Sequence, residues 1–522
     1  MKLVTAAQMR ELDRLAIQER GIPGGELMEN AGLAVAEAAV DFVAQIPDHP
    51  IVVVCGKGNN GGDGFVAARL LAVWGFPVQV LLAAQREEVT GDARHNLLRL
   101  TEVSLEVVEV TDAAAMRPLL DAAPLLIDAL LGTGLTGEVR GLAAGLIQAM
   151  NDSGRPVLAV DLPSGLQADT GAVLGVAVQA TETVTMGLPK LGLHLYPGMD
   201  LAGRVIVADI GFPADLVAAS PCAAELTEAE WVRSVLPRRA RSAHKGAFGR
   251  VLIVAGSVGM TGAATLAAQA ALRMGSGLVY VACPESLNDV LEVKLTEAIT
   301  LPQPETAARS LHPRALDGLL TLAAEMDVLA IGPGISRHPE TAGLIRDLVA
   351  RVTTPFVLDA DGLNAVAGET SALTGEHAPA VLTPHPGEMG RLLGMGSEEV
   401  QAQRLEAAQR AAKMYLSAVV LKGASSLVVE LGRQAMVNPT GNPGLATAGA
   451  GDVLTGVIAS LIGQGLSPFA AAAAGAYVHG LAGDLAAQSM GEASLLAGDV
   501  VDALPAAIKR TAAAPEGGES HP

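Results

Sequence analysis

The length, composition and charge of the chain exclude several classes of protein. With 522 residues, the chain exceeds what one hydrophobic core usually organises, so two or three domains are expected. Half of the residues are apolar but only 2% are aromatic, which favours parallel sheets packed against Ala-rich and Leu-rich helices over all-β sandwiches. A formal net charge of -20 provides no basic surface, and we therefore expect no nucleic-acid partner.

The cysteines and the start of the chain predict its compartment. Cys55, Cys222 and Cys283 are odd in number, far apart and without CxxC spacing, so neither a disulfide framework nor a zinc site is indicated. A reducing cytoplasm is the expected location. Charged residues among the first eleven positions exclude an ordinary signal peptide. The Ala-rich stretch from Phe469 is broken by charged and polar residues, which predicts a buried helix and no contact with a membrane.

The N-terminal half alternates between helical and strand patterns. The first 20 residues predict an amphipathic helix with Thr5 as its N-cap and Leu12, Leu15 and Ala16 on one face, and a second helix follows from about Glu26. Apolar runs of strand length come next: Ile51 to Cys55, Val78 to Ala84, Leu125 to Asp128, Val157 to Asp161 and Val205 to Asp209. This alternation predicts βαβ units in a parallel sheet, with ligands at the carboxyl ends of the strands.

The pattern lapses near Pro221 to Pro237, and we place a domain boundary there. We expect a Rossmann-like three-layer α/β sandwich over residues 1–220, a second α/β domain over residues 221–510, and a disordered tail rich in Ala, Gly, Glu and Pro over residues 511–522. The second domain has its own predicted strands: Val251 to Ala255, Leu278 to Ala282, Val328 to Ile331, Phe356 to Asp359, Val381 to Thr383 and Val419 to Lys422.

A glycine-rich turn, GKGNNGGDG at Gly56–Gly64, follows the first of these strands. It contains GxGxxG, but the next strand leads to Gln85 where a dinucleotide-binding turn requires an acidic residue, which disfavours an ordinary dehydrogenase. Asn59, Asn60 and Asp63 are unusually polar for a pyrophosphate turn. They indicate specific hydrogen bonds or oxygen ligands to a cation.

Polar residues also follow the later strands of this half: Asp128 with the loop Gly132–Glu138, Asp161 with Ser164, and Lys190 in GLPKLG. Asn60, Asp128 and Ser164 together would supply oxygen ligands to a hard monovalent or divalent ion. The alternative for each of them is helix capping or turn formation.

The strongest signal of the C-terminal half is NPTGNPGLATAGAGDVLTG at Asn438–Gly456. Its glycines suit a loop that approaches a ligand closely and leaves the amides of Ala450, Gly451 and Asp452 free at the start of a helix, which forms an anion site. Asp452 would act as a base toward a substrate hydroxyl. The alternative makes Asp452 an N-cap and the glycines a tight turn.

Three further loops end predicted strands of this half, and we expect all four to converge on one sheet edge as a nucleotide site: TPHPGE at Thr383–Glu388, KGASS at Lys422–Ser426, and GPG at Gly332–Gly334. In DADGLN, Asp359 and Asp361 either hold Mg²⁺ indirectly or belong to a turn built on Gly362.

With these motifs and the segment GSVGMTGAATLAAQAALRMGSGL, the C-terminal half resembles the ribokinase-like superfamily and, within it, the NAD(P)H-hydrate dehydratases. The resemblance implies removal of the hydroxyl from NADHX or NADPHX, the hydrated dinucleotides, coupled to hydrolysis of ADP or ATP with Mg²⁺. Asp452 would activate the hydroxyl for phosphoryl transfer. The dinucleotide would be bound by Ala263, Gly334, His385 and Asp452. The nucleotide would be bound by Lys422, Gly423, Ala424, Ser425, Ser426 and Gly451.

The N-terminal half resembles the NAD(P)H-hydrate epimerases at NNGGD, DALLGTGLTGEVRG, DLPSG and GLPKLG, over about the first 215 residues. This resemblance implies interconversion of the R and S hydrates at a site supported by K⁺, with Asp161 in proton transfer. The K⁺ ligands would be Asn60, Asp128 and Ser164. The substrate would be lined by Asn59, Asn60, Gly61, Gly62, Asp63, Gly132, Thr133, Gly134, Leu135, Thr136, Gly137, Glu138 and Asp161.

The two resemblances together predict a bifunctional hydrate repair enzyme and imply a homo-oligomer. A dehydratase that accepts only the S form would strand the R form, and an epimerase on the same chain returns it. We take ADP as the nucleotide, although the sequence does not decide between ADP and ATP or between NADHX and NADPHX. One alternative is a ribokinase-like kinase of a vitamin precursor with an N-terminal ligand-binding module, and the other is an inactive N-terminal scaffold.

Overall fold

The chain divides into two units in its computed structural model, which describes residues 1–43, 45, 47–375 and 377–513. The N-terminal unit comprises Lys2–Ala224, and the C-terminal unit begins at Glu225. Across the described residues, none of the helices combines the length and the apolarity that crossing a membrane requires.

The first helix of the N-terminal unit begins where its capping residues predict. Helix α1 (Ala6–Gln18) has Thr5 as N-cap: the Thr5 hydroxyl accepts from the Gln8 amide at 3.1 Å, and the Gln8 side chain accepts from the Thr5 amide at 2.9 Å. The other helices of this unit are α2 (Gly24–Phe42), α3 (Asn59–Val73), α4 (Gly91–Arg99), α5 (Arg117–Ala122), α6 (Gly141–Asp152), α7 (Gly198–Ala202) and α8 (Ala214–Ala219).

The sheet of the N-terminal unit has the strand order of a doubly wound fold. After the short strand β1 (Lys2–Leu3), its members are β2 (Ile51–Cys55), β3 (Val78–Leu82), β4 (Val107–Glu109), β5 (Leu126–Ala129), β6 (Val157–Val160), β7 (Glu182–Met186) and β8 (Arg204–Ala208). They run parallel in the order β4-β3-β2-β5-β6-β7-β8. The order reverses at β2, between β3 and β5, and a ligand crevice is expected at that point. The predicted Rossmann-like fold is confirmed.

The C-terminal unit contains a larger, mixed sheet. Its strands are β9 (Ala224–Leu226), β10 (Arg250–Val254), β11 (Leu278–Pro284), β12 (Ile299–Gln303), β13 (Val328–Ile331), β14 (Phe356–Leu358), β15 (Ala380–Leu382), β16 (Ala418–Leu421), β17 (Leu427–Val429) and β18 (Met436–Val437). They lie in the order β9-β18-β17-β16-β15-β14-β13-β10-β11-β12, with only β16, β17 and β18 pairing antiparallel among the described strands. This is the predicted ribokinase-like α/β arrangement.

Helices cover both faces of this sheet: α9 (Ala229–Val235), α10 (Thr261–Arg273), α11 (Asn288–Lys294), α12 (Leu316–Ala323), α13 (Pro339–Arg351), α14 (Asp361–Val366), α15 (Pro386–Leu393), α16 (Ser397–Ala402), α17 (Arg404–Tyr415), α18 (Ala450–Gly463), α19 (Pro468–Met490) and α20 (Ala497–Ala512). Helices α10, α18, α19 and α20 share one core with the sheet. The predicted buried helix from Phe469 is confirmed as α19.

Small residues bring α10 and α18 into backbone contact, as the low aromatic content predicts. The buried side chains of α10 are all alanines. On α18, a Cβ placed at Gly456 would lie 2.1 Å from the carbonyl oxygen of Ala267, so only glycine fits at this position. The seam fixes α18, whose first turn carries Asp452.

The polar or short strands were not predicted. Glu182, Thr183 and Thr185 make β7 look like a loop in the sequence, yet all three are buried inside the sheet. Strands β1, β4, β9, β12, β17 and β18 were also missed. Of the predicted tail, Thr511 and Ala512 belong to α20, and residues 514–522 lie outside the described residues.

Candidate active sites

A cavity of about 870 Å³ opens at the carboxyl ends of β2, β5 and β6 in the N-terminal unit. The order of strands reverses there, at the position where doubly wound sheets bind ligands. The residues of the predicted substrate site that line it are Asn59, Asn60, Asp63, Gly132, Thr133, Gly134, Leu135, Thr136, Gly137, Glu138 and Asp161.

Gly61 and Gly62 pack against protein and are not among the cavity-lining residues. A Cβ at Gly61 would lie 1.9 Å from the carbonyl oxygen of Gly56, and one at Gly62 would lie 2.7 Å from the sulfur of Met28. These glycines allow α3 to start directly against the end of β2. Their contribution to the site is therefore to position Asn59, Asn60 and Asp63.

A buried ion pair lies at the floor of this cavity. The ammonium of Lys190 donates to the carboxylate of Asp161, to the Thr185 hydroxyl at 3.3 Å and to the Met186 carbonyl at 3.1 Å. The Met186 amide also donates to Asp161 at 3.1 Å. Asp161 has a left-handed backbone, with φ of 65°, which aims its carboxylate away from an ordinary strand direction. The pair and the backbone together fix the Asp161 carboxylate in one place.

Two further carboxyl groups line the same cavity. Burial raises the pKa of Asp13 to about 6, with Lys190 opposing the shift and Asp161 adding to it. Burial also raises the pKa of Asp63 well above its usual range, and the charges of Asp161 and Asp13 reinforce the shift. Asp13 was not predicted as a site residue, because it lies on α1 and no glycine-rich motif accompanies it.

The three predicted K⁺ ligands meet around the loop after β5. The Ser164 hydroxyl donates to Asp128 at 2.6 Å and accepts from the Leu131 amide at 2.8 Å. The Asn60 amide group donates to the Leu131 carbonyl at 3.1 Å. Burial raises the pKa of Asp128 to about 6, although its hydrogen bonds with Ser164 oppose the shift. Carboxylate, hydroxyl and amide oxygens from these side chains are the donor types that a hard cation takes.

Three of the four loops predicted to converge, those that begin at Gly332, Thr383 and Lys422, lie at one edge of the C-terminal sheet together with Asp359. These four residues directly follow the neighbouring parallel strands β13, β15, β16 and β14, respectively. Because parallel strands present their carboxyl ends on one side, these residues form one polar edge.

Asp359 is the buried centre of this edge. It accepts from the Lys422 ammonium at 2.6 Å, from the Thr383 hydroxyl at 2.8 Å and from the Thr455 hydroxyl at 2.8 Å. Burial of Lys422 favours a lower pKa, but the carboxylates of Asp359 and Glu388 outweigh this effect and raise the pKa of Lys422. Lys422 is thus a fixed cation at the edge and not a solvated side chain.

The helix α18 starts beside this ion pair. Its N-cap is Gly449, with φ of 95°, so Asp452 lies in the first turn and is not the N-cap. Burial raises the pKa of Asp452 to about 7; Asp359 contributes and Lys422 opposes. Among the described residues, no side-chain hydrogen bond engages the Asp452 carboxylate. It is free to accept a proton from a ligand.

His385 caps α15 as well as facing the edge. Its Nδ1 accepts from the Gly387 amide at 3.0 Å, and its Nε2 lies 3.5 Å from Glu388. Burial, helped by the charge of Lys422, lowers the pKa of His385. The helix α15 begins at Pro386, so the predicted TPHPGE loop ends earlier than the sequence indicates.

The loop 422–426, which is predicted to bind the nucleotide, packs against the buried Arg404, a residue that no sequence motif singled out. Arg404 donates to the Leu421 carbonyl at 3.1 Å and to Gln401 at 2.6 Å. Gly423 has φ of 137°, and a Cβ there would lie 3.1 Å from the Arg404 guanidinium. A second tight contact joins the predicted dinucleotide residues, because a Cβ at Gly334 would lie 3.0 Å from that of Ala263.

Comparisons with known proteins match both units. A family described as NAD(P)H-hydrate dehydratase matches residues 251–506, and one described as YjeF-related protein N-terminus matches residues 24–192. The bifunctional NAD(P)H-hydrate repair enzyme Nnr of Moorella thermoacetica is 51% identical, over 98% of this chain and 97% of its own length. The enzyme of the same name from Thermofilum pendens is 40% identical, over 98% and 96%.

A solved structure is also similar to the chain. The ADP/ATP-dependent NAD(P)H-hydrate dehydratase of Bacillus subtilis, co-crystallised with ATP and Mg²⁺, is 32% identical with a TM-score of 0.47, over 55% of this chain and 99% of that one. The full-length identity to the repair enzymes is the decisive finding. The chain belongs to the family of bifunctional NAD(P)H-hydrate repair enzymes, with an N-terminal epimerase domain and a C-terminal dehydratase domain.

Proposed function

We propose that the cavity with Asp161 is the epimerase site and that the edge with Asp452 is the dehydratase site. The observation that carries the proposal is a buried lysine–aspartate pair at the ends of parallel strands in each place: Lys190 contacts Asp161 at the N-terminal cavity, and Lys422 contacts Asp359 next to Asp452. Such an arrangement holds a proton-transfer group and a fixed positive charge within reach of one ligand.

At the N-terminal site, epimerisation requires that the hydroxyl leave the ring carbon and return on the other face. A protonated hydroxyl departs as water while the ring nitrogen lone pair forms a C=N bond. Water then adds to the opposite face of that carbon and loses a proton to a base. Asp161 is the base in this proposal, because Lys190 and the Met186 amide hold its carboxylate in one orientation. The loops Asn59–Asp63 and Gly132–Glu138 bind the rest of the dinucleotide.

K⁺ would be held by the side-chain oxygens of Asn60, Asp128 and Ser164. It would supply a positive charge beside the loop that begins at Leu130. The fit is supported by the oxygen-rich environment around Leu131, where all three side chains meet. Replacing K⁺ by a cation of different size should slow epimerisation and leave the dehydratase rate unchanged.

At the C-terminal site, Asp452 removes the proton of the substrate hydroxyl while the hydroxyl oxygen of the substrate attacks the terminal phosphorus of the nucleotide. The bond from that phosphorus to the leaving nucleotide breaks. The ring C–O bond then breaks and phosphate leaves with the bonding electrons, while the ring nitrogen lone pair forms a C=N bond; the adjacent ring carbon next loses a proton to water, which restores the dihydronicotinamide. Lys422 and the amides at the start of α18 neutralise phosphate charge. The other nucleotide contacts are Gly423, Ala424, Ser425, Ser426 and Gly451, and the dinucleotide is bound by Ala263, Gly334 and His385.

The nucleotide is proposed to be ADP, bound with Mg²⁺. Both oxygens of Asp359 accept hydrogen bonds from protein, and Asp361 lies 3.4 Å from Arg337. In the described residues, no cluster of three or more His, Cys, Asp or Glu side chains could hold a metal ion. Mg²⁺ would therefore be held mainly by the nucleotide phosphates and water, as is usual for this ion.

A cytoplasmic homo-oligomer without nucleic-acid partners completes the proposal. The cysteines Cys55, Cys222 and Cys283 form no disulfide with one another, which supports a reducing compartment. The oligomer rests on the family resemblance, and analytical ultracentrifugation of the full chain tests it.

The test is incubation of the purified chain with an R and S mixture of NADHX, Mg²⁺ and K⁺, with ADP or ATP added separately, followed by NADH absorbance. We expect NADH from both epimers, faster with ADP. Recovery of the S portion alone would overturn the epimerase assignment and leave the N-terminal unit as a scaffold. A phosphorylated product without NADH would instead indicate a small-molecule kinase.

A further inference from the structure

The cavity of the N-terminal unit holds more carboxyl groups than its lysines can neutralise. Asp13, Asp63 and Asp161 line it together with Lys190, and all four influence one another electrostatically. The ammonium of Lys190 is committed to Asp161 by a direct contact. Asp13 and Asp63 are left without an ion-pair partner among the described residues.

The other charged residues around the cavity do not change this balance. Lys57 pairs with Glu88 at 3.0 Å, and Glu138 pairs with Arg140 at 2.7 Å. Arg10 lies on the exposed side of α1, and Asp92 is exposed at the start of α4. Close unpaired carboxyl groups cannot all ionise in a partly buried site, so at least one of Asp13 and Asp63 holds a proton near neutral pH.

The proposed epimerisation needs such a proton. Resting on the proposed function, in which Asp161 is the base, we infer that Asp13 is the general acid that protonates the departing hydroxyl. Asp13 and Asp161 line the same cavity from different elements, α1 and the segment after β6, so both carboxyl groups border the space that the substrate would occupy.

Asp13 suits this role better than Asp63. A general acid must give up its proton and regain it in each cycle, which is fastest when its pKa lies near the working pH. The pKa of Asp13 is raised to about 6, whereas that of Asp63 is raised well above its usual range. Asp13 is therefore the group that can give up and regain its proton near neutral pH.

The step balances without any further reactant. The Asp13 carboxyl proton moves to the hydroxyl oxygen, the C–O bond breaks and water leaves, while the ring nitrogen lone pair forms the C=N bond. A water molecule then adds to the other face of the carbon, and its proton passes to Asp161. Proton exchange with solvent restores both carboxyl groups.

The experiment measures conversion of purified S-NADHX to the R form by the full chain, with K⁺ and without nucleotide, so that the dehydratase is silent. Asp13→Asn should lower kcat by about 10²-fold or more, the range typical of general acid catalysis, with little change in KM. The wild-type kcat/KM should fall as pH rises above about 6, because Asp13 must be protonated, and this decline should be absent from the variant. Glu11→Gln, on the same helix but exposed, is the matched control and should retain the wild-type rate.

Three further variants separate this inference from the proposed function. A large loss in Asp161→Asn with a wild-type rate and pH profile in Asp13→Asn overturns the inference alone, and an unchanged Asp161→Asn overturns the proposed function. If Asp63→Asn removes the decline above pH 6, the assignment to Asp13 is wrong. If Asp13→Asn does not fold, Asp13→Glu takes its place: a reduced rate with a displaced decline supports the inference, and a wild-type profile contradicts it.

Discussion

The proposed epimerase and dehydratase sites each contain a buried lysine–aspartate pair but use it differently. In the N-terminal site, Lys190 contacts Asp161, which is the carboxylate proposed for proton transfer. In the C-terminal site, Lys422 contacts Asp359, and the proposed base Asp452 lies beside the pair with a pKa raised to about 7. The comparison indicates two uses of such a pair. A lysine can orient a reactive carboxylate directly, or a second carboxylate can hold the lysine in place so that its ammonium binds the ligand.

The largest expected effect comes from removing the proposed base of the C-terminal site. Asp452→Asn should lower dehydratase kcat by about 10³-fold, because the proton acceptor is lost, while epimerisation in the same preparation is unchanged. NADH formation from S-NADHX with ADP measures the first rate, and chromatographic separation of the epimers measures the second. A dehydratase rate within threefold of the wild type would exclude Asp452 as the base.

Lys190→Met breaks the pair on the other side. Removing one member of a buried ion pair typically costs about 3 kcal/mol, because the remaining charge loses its partner, and Lys190 is fully buried. In denaturant unfolding of the full chain, the N-terminal unit of the variant should unfold at a lower denaturant concentration than in the wild type. Dehydratase activity should be lost at the same denaturant concentration in both. Lys57→Met, which removes an exposed pair with Glu88, is the control.

Asp359→Asn tests whether this aspartate holds Lys422 for the nucleotide. We expect the KM for ADP to rise by about tenfold with a smaller change in kcat, because the ammonium loses the contact that orients it, at a cost of about 1.4 kcal/mol. Thr383→Val removes only one of the hydrogen bonds to Asp359 and should have a smaller effect on KM. Equal changes in kcat and kcat/KM with constant KM would place Asp359 in the chemical step instead.

The two activities should respond to pH in opposite directions. Asp452 must be ionised to accept a proton, so dehydratase kcat/KM should rise about tenfold per pH unit below about 7 and then level off. Epimerase kcat/KM should decline above about 6, where Asp13 loses its proton. Profiles of both activities from pH 5 to 8.5 on one preparation measure this. Parallel profiles would contradict the assignment of an acid to one site and a base to the other.

Much of the fold could be predicted because the buried strands are continuous apolar runs. Ile51–Cys55 and Val328–Ile331 have the predicted bounds. Strand β7 could not be predicted, since Glu182, Thr183 and Thr185 are buried by their neighbours in the sheet and not by their own chemistry. The short strands β17 and β18 depend on pairing partners that no local pattern reveals.

The candidate sites were predicted to the extent that their residues follow strands. Asp161, Lys422 and Asp452 each stand beside a loop motif, and the structure brings their loops to sheet edges. Asp13 could not be found in this way, because it lies within an ordinary amphipathic helix and joins the cavity only through packing. The role of Asp359 was likewise hidden, since its partners Thr383, Lys422 and Thr455 come from three separate segments.

The close contact between α10 and α18 restricts the movement of α18 and therefore of Asp452. Gly456 lies one turn after Asp452 and packs against a backbone oxygen of Ala267 and the Cβ of Ala270. Main-chain and Cβ atoms have no side-chain rotamers that could change to accommodate a displacement. A shift of α10 is therefore passed directly to α18. The helix that carries the proposed base therefore moves as a rigid unit. The position of the Asp452 carboxylate depends on the glycine and alanine residues that hold the two helices together.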